Sequence, residues 1–211
     1  LSILGISWFW FVGSLFVSQF PNFAQNELGS NEHVVTVLLA TFSIGVGIGS
    51  LLCERLSGHK VEIGLVPFGS IGLTLFGIDL YFATPVVKPA VALGALEFLS
   101  RPANWRLLFD LAMIGLFGGL FIVPLFALIQ TRSEPQYRSR IIAGNNILNA
   151  LFMVLAAGLA ILCLSNGMSI KMLLLLTAIL NAFVAIYIYT LVPEFLMRFL
   201  VWILVHSVYR L

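Results

Sequence analysis

Charged side chains are scarce in this sequence. Asp, Glu, Lys and Arg make up 9% of the 211 residues and 60% are apolar, whereas an average soluble domain has about 25% charged residues. A soluble fold needs a polar shell, which this composition does not supply. The net charge of +2 is too small and too scattered to indicate a nucleic-acid-binding protein. The composition is therefore typical of an integral membrane protein.

Residues that commonly carry catalysis or bind metals are equally rare. The two cysteines, Cys53 and Cys163, lie at the ends of apolar segments and form neither a disulfide framework nor a metal-ligand pair. The three histidines, His33, His59 and His206, lie in or beside loops without paired metal-ligand spacing. The sequence contains no nucleophile elbow, phosphate-binding loop or dinucleotide fingerprint. We therefore expect no enzymatic activity in this segment, and no metal or cofactor.

Long apolar segments, by contrast, fill most of the chain. A helix needs about 20 apolar residues to cross the roughly 30 Å hydrocarbon core of a bilayer, and six segments reach that length. Polar or proline-containing loops separate them. The sequence thus predicts an all-α membrane protein. Its six predicted transmembrane helices cover residues 2–20, 33–53, 63–82, 108–130, 141–164 and 171–192.

Two further apolar segments are short. The connection 83–107 contains AVALGALEFL, which is too short to span and is predicted to form an interfacial or re-entrant helix. The segment 194–211 places basic and aromatic side chains on one arc of a helical wheel and aliphatic ones on the other. This pattern favours a C-terminal interfacial helix, with a seventh span as the alternative. The predicted domains are a six-helix unit, residues 1–193, and an amphipathic linker, residues 194–211.

The distribution of Lys and Arg over the loops indicates an orientation. Loops 54–62 and 131–140 together hold five Lys or Arg, whereas the longer loops on the other side hold four. Cytoplasmic loops carry an excess of these residues. We therefore predict that both termini of the six-helix unit lie in the cytoplasm.

The end of the second span combines small and charged residues. Gly45 and Gly49 stand four residues apart and would let another helix approach closely. Glu54 and Arg55 follow at the helix end, with Lys60 shortly after, and such charges can hold one conformation and then release it. The arrangement resembles the signature between the second and third helices of each half of a major facilitator superfamily transporter, with Glu54 in place of Asp. The resemblance implies a gating role, and an ordinary cytoplasmic loop is the alternative.

The fifth span carries amides inside an apolar helix. Arg138, Asn145 and Asn149 share one helical face through their seven- and four-residue spacing. Amides rarely face lipid, because an unpaired polar group is costly there. We interpret Asn145 and Asn149 as binding a polar head group, and hydrogen bonds to a neighbouring helix are the alternative. Arg138 and Arg140 join the predicted gating charges.

The first span has a polar face as well. Ser7, Trp10, Ser14 and Ser18 recur at three- and four-residue spacings. We predict that this face lines a substrate cavity. The alternative is that the serine hydroxyls bond to the backbone of the preceding turn.

One acidic residue lies close to an apolar segment. Asp110, near the start of the fourth span, is a possible charge site for a substrate amine or a proton. A local pair with Arg106, four residues earlier, is the favoured interpretation. Asp79, near the end of the third span, has no partner identifiable from the sequence.

The segment PLFALIQTRSEPQYRSRIIAGNNILNALFMV, residues 124–154, carries a family resemblance. Its ALIQ, R-x-R-x-I-A and NNI-x-NA-x-FMV patterns closely resemble the bacterial lysophospholipid transporter family of the major facilitator superfamily. The first span (SWFWFVGSLFVSQFP), the run CERLSG…VEIGLVPFGSIGL and the end LVPEFLMRFLVWILVHSVYRL are similar to that family and to its fusions with acyltransferase domains. The resemblance covers nearly the whole chain and matches helices seven to twelve of a twelve-helix transporter. It implies a six-transmembrane-helix half of the major facilitator fold, and we expect the chain to begin within a longer protein.

The resemblance also implies a function. The family moves lysophospholipids, chiefly lysophosphatidylethanolamine, from the outer to the inner leaflet of the bacterial inner membrane. A cytoplasmic acyltransferase then restores the missing acyl chain, and the fused forms are of the 2-acylglycerophosphoethanolamine acyltransferase/acyl-ACP synthetase type. The implied partners are the lysophospholipid, membrane lipids, an N-terminal six-helix half and the acyltransferase domain. A membrane anchor that transports nothing and a solute or drug facilitator of the same superfamily remain alternatives.

Overall fold

The computed structural model describes residues 2–57, 62–89, 91–191 and 193–208, without the side chains of 206–208. All regular elements within these ranges are helical. The α-helices are α1 (Ser2–Asn22), α2 (Glu32–Leu56), α3 (Leu65–Ala83), α4 (Ala95–Ser100), α5 (Trp105–Arg132), α6 (Arg138–Ser165), α7 (Ile170–Leu191) and α8 (Pro193–Val208), with a short π-helix at Phe23–Glu27 and a 3-10 turn at Pro102–Asn104.

Six of these helices are long and apolar enough to cross a membrane: α1, α2, α3, α5, α6 and α7. Their ends lie within three residues of those predicted from the sequence. The prediction of an all-helical chain with six membrane-spanning helices is confirmed at this level, and the protein is a multi-pass membrane protein. The short helix α4 lies in the segment predicted to be interfacial or re-entrant.

Local sequence sets several of the helix ends. The Asn31 side chain caps α2 by accepting a hydrogen bond from the backbone N–H of His33, at 3.0 Å. Glu27, at the end of a π-helical turn that continues α1, caps α7 by accepting from the Ile170 N–H, also at 3.0 Å. The tight turn between α6 and α7 passes through Gly167 at φ +82°, a conformation that favours glycine. The first cap uses a neighbour in sequence and the second ties α1 to α7.

The six long helices pack in the order α2, α5, α3, α7, α1, α6, and α1 also contacts α5. The helix α5 is the most enclosed, with 61% of its apolar stretch buried. The two flanking helices are the least enclosed, at 22% for α2 and 17% for α6. Among the described residues, α2 packs mainly on α5, and α6 mainly on α1. The bundle therefore has three well-enclosed helices, α1, α3 and α5, and two open flanks.

Glycines bring α2 and α5 into backbone contact. A Cβ atom added to Gly45 would lie 2.2 Å from the carbonyl oxygen of Ala112, and one added to Gly49 would lie 2.0 Å from that of Leu116. From the other side, a Cβ on Gly115 would lie 2.2 Å from the carbonyl oxygen of Phe42. The close approach expected at Gly45 and Gly49 is present, and α5 is the helix that makes it.

The last helix, α8, packs where α2 ends and α3 begins, which we call the terminal end of the bundle because α1 starts there. The opposite end is the distal end. The Trp202 indole donates to the backbone oxygen of Leu56 at 3.3 Å, and its ring lies 5.9 Å from the Phe68 ring at a tilt of 35°. Glu194 forms an ion pair with Arg132 of α5 at 3.7 Å. These contacts fix the described part of the predicted linker to the bundle, and residues 209–211 lie outside the described residues.

Candidate functional site

Four of the predicted substrate-binding residues meet between α1 and α6. Ser7 and Asn149 are in hydrogen-bonding contact at 2.9 Å although 142 residues separate them, and both are buried. Asn145 is 1% exposed and lies one turn before Asn149, while Trp10 lies one turn after Ser7. The part of the predicted α1 face that holds Ser7 and Trp10 therefore packs directly against Asn149 on the face predicted on α6.

The Asn149 amide connects the members of this cluster. Amide orientation is assigned from the hydrogen-bond network, and one orientation gives both the oxygen and the nitrogen of the Asn149 amide suitable partners. In it, the Asn149 oxygen accepts from Trp10 Nε1 at 3.3 Å and from Asn145 Nδ2 at 3.0 Å. The nitrogen donates to Ser7 Oγ at 2.9 Å and to the backbone oxygen of Asn145 at 3.1 Å. Only the side-chain oxygen of Asn145 lacks a donor among the described residues of this cluster. The amides thus fasten α6 to α1, which is the geometry of the alternative interpretation.

The other two predicted residues of α1 stand apart from the amides. Ser14 Oγ donates to the Phe11 backbone oxygen at 3.1 Å, and Ser18 Oγ donates to that of Leu15 at 3.2 Å. These bonds to the preceding turn are the alternative considered from the sequence. Ser18 is exposed and Ser14 half-buried, so both line open space without an unsatisfied hydroxyl.

The central helix α1 keeps one strip uncovered. Trp10 and Val17 are 39% and 38% exposed, and a Cβ on Gly13 would meet nothing within 4 Å. With Ser14 and Ser18, these residues recur every three or four positions and form one continuous stripe. We call this stripe the α1 strip. It adjoins the amide cluster through Trp10, on a helix that α5, α6 and α7 otherwise enclose.

A second polar network was not anticipated from the sequence. Trp8 Nε1 donates to Asn181 Oδ1 at 2.9 Å, joining α1 to α7. Asn181 Nδ2 in turn donates to the Ser70 backbone oxygen at 3.1 Å and to Thr74 Oγ1 at 3.0 Å, both on α3. Asn181 is an amide in the middle of an apolar helix, so the argument that singled out Asn145 would have found it.

The predicted gating charges occupy the terminal end on both flanks. Glu54 and Arg55 are exposed at the end of α2, and Arg140 is exposed in the first turn of α6. Arg138 is half-buried, and its Nε lies enclosed without an acceptor among the described residues. Because α2 and α6 do not pack extensively on each other, the structure does not bring the two groups together. Lys60 lies outside the described residues.

The expected local pair of Arg106 with Asp110 is wrong. The Arg106 guanidinium instead bonds both oxygens of Asp79 on α3, at 2.5 and 3.1 Å. Arg before Asp is the less favourable direction for a pair four residues apart on a helix, and Asp79 offers a bidentate partner. Asp110 lies beneath this pair at the distal end and is 1% exposed. The partner that the sequence did not reveal for Asp79 is therefore Arg106.

Candidate metal ligands do not gather into a comparable cluster in the described part of the chain. Within the ranges that the structure describes, no group of three or more His, Cys, Asp or Glu could hold a metal ion. Cys53 is buried and Cys163 partly exposed, and both are free thiols. The polar side chains described above join helices to one another. Ser7 and Asn149 join α1 to α6, Asn181 joins α7 to α1 and α3, and Arg106 with Asp79 joins α5 to α3.

No protein-family model, curated protein or solved structure matches this chain. The resemblance to the lysophospholipid transporters therefore stays a prediction from the sequence motifs.

Proposed function

We propose that this chain is the C-terminal half of a bacterial lysophospholipid transporter of the major facilitator superfamily. It would flip lysophosphatidylethanolamine across the inner membrane for re-acylation, with both termini in the cytoplasm. The observation that carries the proposal is the α1 strip: α1 exposes a continuous stripe although it packs on α5, α6 and α7, and the flanking helices α2 and α6 are themselves poorly enclosed. A second six-helix half packed over this side would turn the stripe into the wall of a cavity, because transporter sites form at the interface between repeats.

The composition of the strip suits an amphiphilic cargo. A head group needs a few polar partners and an acyl chain needs apolar surface, which together describe a mostly apolar site with few polar groups. Trp10 and Val17 supply the apolar surface, and Ser14 and Ser18 supply hydroxyls whose oxygens can still accept hydrogen bonds. Asn145 adds a side-chain oxygen that lacks a donor among the described residues, close behind Trp10.

The remaining parts of the proposal follow the same assignment. Glu54, Arg55, Lys60, Arg138 and Arg140 would gate the pathway from the cytoplasmic side, which would be the terminal end. An acyltransferase domain would receive the flipped lipid at that end, where α8 packs on the bundle.

A lipid-flipping assay tests the proposal. The chain is reconstituted in liposomes with the N-terminal half of its parent protein, and fluorescent lysophosphatidylethanolamine is added to one leaflet. Its protection from a membrane-impermeant quencher reports transfer to the other leaflet. We expect faster transfer than in protein-free liposomes and little transfer of the diacyl lipid. Equal rates with and without the protein would refute the proposal, and transport of unrelated solutes alone would favour a drug or solute facilitator.

Two matched variants test whether the α1 strip is the cavity wall. Ser14 and Thr190 both carry a hydroxyl bonded to their own helix, and Thr190 lies on α7, away from the strip. Ser14→Leu fills the strip and should slow transfer at least tenfold, whereas Thr190→Leu should leave it near the wild-type rate. If the two variants transfer lipid equally well, the strip does not line the pathway.

The structure also gives support to the second candidate, a membrane anchor that transports nothing. The Asn149 amide forms its hydrogen bonds with Ser7, Trp10 and Asn145. This is expected of an amide that holds two helices together rather than of one that binds substrate. If the chain is only an anchor, the wild type takes up lipid no faster than protein-free liposomes do. Ser14→Leu and Asn149→Leu then leave that rate unchanged, and the parent protein still acylates lipid. Loss of transfer in Ser14→Leu with acylation intact would exclude it.

A further inference from the structure

The buried carboxyl of Asp110 is the least compensated polar group at the distal end of the described bundle. Asp110 is 1% exposed, and neither of its oxygens accepts a hydrogen bond from a donor among the described residues. Leaving an ionised carboxylate buried without compensation is so costly that such groups normally neutralise instead. Asp110 therefore needs a positive charge, a donor or a proton.

Arg106, the nearest cation, is already engaged. Its Nε and one terminal nitrogen bond both oxygens of Asp79, and the pair lies toward the surface, with side chains 57% and 39% exposed. The Asp79 carboxyl is also within hydrogen-bonding reach of the Asp110 carboxyl. Two ionised carboxylates cannot bond each other, because both are acceptors only. With both acids ionised, the three residues would carry one uncompensated negative charge.

Within the part of the chain that the structure describes, no other cation forms an ion pair with Asp110. Lys171, at the distal start of α7, instead lies over the Tyr81 ring, 5.6 Å from its centre. The elements packed on α5 at this level are α1, α2 and α3, and α1 has no titratable side chain. Glu97 and Arg101, before the start of α5, pair with each other. The remaining titratable groups of α2, α3 and α5 lie at helix ends: Glu32, His33, Cys53, Glu54, Arg55, Tyr81 and Arg132.

We propose that Asp110 holds a proton and donates it in a hydrogen bond to Asp79, which makes this a proton-binding site joining the distal ends of α3 and α5. The proton comes from water and binds one oxygen of Asp110, and the resulting O–H donates to an oxygen of Asp79. That oxygen can accept from Asp110 and from Arg106 together, because each carboxylate oxygen has two lone pairs. The three residues are then neutral overall. A metal cation fits less well, since it requires several oxygen ligands and the described residues provide two carboxyl groups here.

Release of the Asp110 proton would weaken the packing of α3 on α5 at the distal end. Two adjacent negative charges repel, and Arg106 cannot bond both carboxylates bidentately at once. The distal ends of α3 and α5 would then separate or rearrange. This site does not depend on the proposed lipid transport, because its members lie away from the α1 strip and the amide cluster.

Infrared spectroscopy of the full chain in detergent tests the proposal. A protonated carboxylic acid has a carbonyl stretch distinct from that of a carboxylate. We expect this band in the wild type at neutral pH, its loss in Asp110→Asn, and its persistence in Glu97→Gln, which alters an exposed acid nearby. Absence of the band in the wild type would overturn the proposal, as would its survival in Asp110→Asn.

Stability against pH gives an independent measurement. The amide that Asp110→Asn introduces resembles the protonated acid in shape and can donate to Asp79, so we expect this variant to unfold within a few degrees of the wild type at neutral pH. The folded wild type keeps a proton that the unfolded chain releases, so its stability should fall as pH rises more steeply than that of the variant. Parallel pH profiles would contradict the proposal. The wild type and the variant are also compared in sodium and in choline salts at equal ionic strength. If sodium stabilises the wild type and not the variant, the site binds a metal cation and the proton proposal is overturned.

Discussion

The contact between α2 and α5 provides the sharpest test of the packing. Gly49 faces α5 so closely that an added Cβ would lie 2.0 Å from the carbonyl oxygen of Leu116, whereas ordinary contact begins at 3.4 Å. The obstacle is backbone, which cannot rotate aside as a side chain can. Gly49→Ala therefore requires the two helices to move apart by more than an ångström along the most extensive helix interface of the bundle.

The expected cost follows from this separation. Overpacking a well-packed interior costs about 1–3 kcal/mol, and the backbone contact places Gly49→Ala near the upper end. Alanine recovers up to about 1 kcal/mol of helix propensity relative to glycine. We therefore expect a net loss of about 2 kcal/mol, which lowers the unfolding temperature of a chain of this size by about 4–8 °C.

Gly47 is the matched control. It lies in the same helix, two residues away, and an added Cβ would meet nothing within 4 Å. Gly47→Ala therefore keeps the gain in helix propensity without the clash, and it should unfold at or slightly above the wild-type temperature. Thermal unfolding of the purified chain in detergent, followed by circular dichroism, measures both variants. If Gly49→Ala and Gly47→Ala unfold at the same temperature, α2 does not pack on α5 through Gly49.

Three further predictions concern single side chains. In a double-mutant cycle, Ser7→Ala and Asn149→Ala should show a coupling free energy of about 0.5–1.5 kcal/mol, because the side chains bond each other; additivity would contradict the contact. Asn181→Ala should lower the free energy of unfolding by about 1–2 kcal/mol, since it removes three hydrogen bonds between helices, and an unchanged unfolding temperature would refute this. Cys163 should react with a maleimide before Cys53, which is 3% exposed; equal labelling rates in the folded chain would contradict that burial.

The helices were predictable from the sequence and their partners were not. Apolar segments of spanning length, separated by polar loops, gave the six long helices, because a bilayer admits few other solutions. Nothing in those segments specifies which helix packs on which, since lipid-facing and protein-facing surfaces are both apolar. The glycine pair Gly45 and Gly49 was informative because small residues mark close contacts, yet it could not name α5 as the partner.

Polar residues inside the spans were predictable as a class, and their roles were harder to assign. Spacing placed Asn145 and Asn149 on one face and Ser7 and Trp10 on another, but only the fold shows that the two faces meet. The misassigned Arg106 illustrates the limit. The sequence offered Asp110 as a local partner, whereas the third helix supplied Asp79 from 27 residues away.

The way the two flanking helices are held bears on how such a unit can move. The helix α6 is fastened to α1 by the buried amide of Asn149 and its partners, and α2 is fastened to α5 by backbone contact at Gly45 and Gly49. Both fastenings are short-range: hydrogen bonds of about 3 Å weaken steeply when stretched, and close helix packing is lost with small displacements. Neither flank can therefore swing away from the centre at low cost. If the bundle takes part in transport, motion belongs between this unit and whatever covers the α1 strip, with the six helices moving as one body.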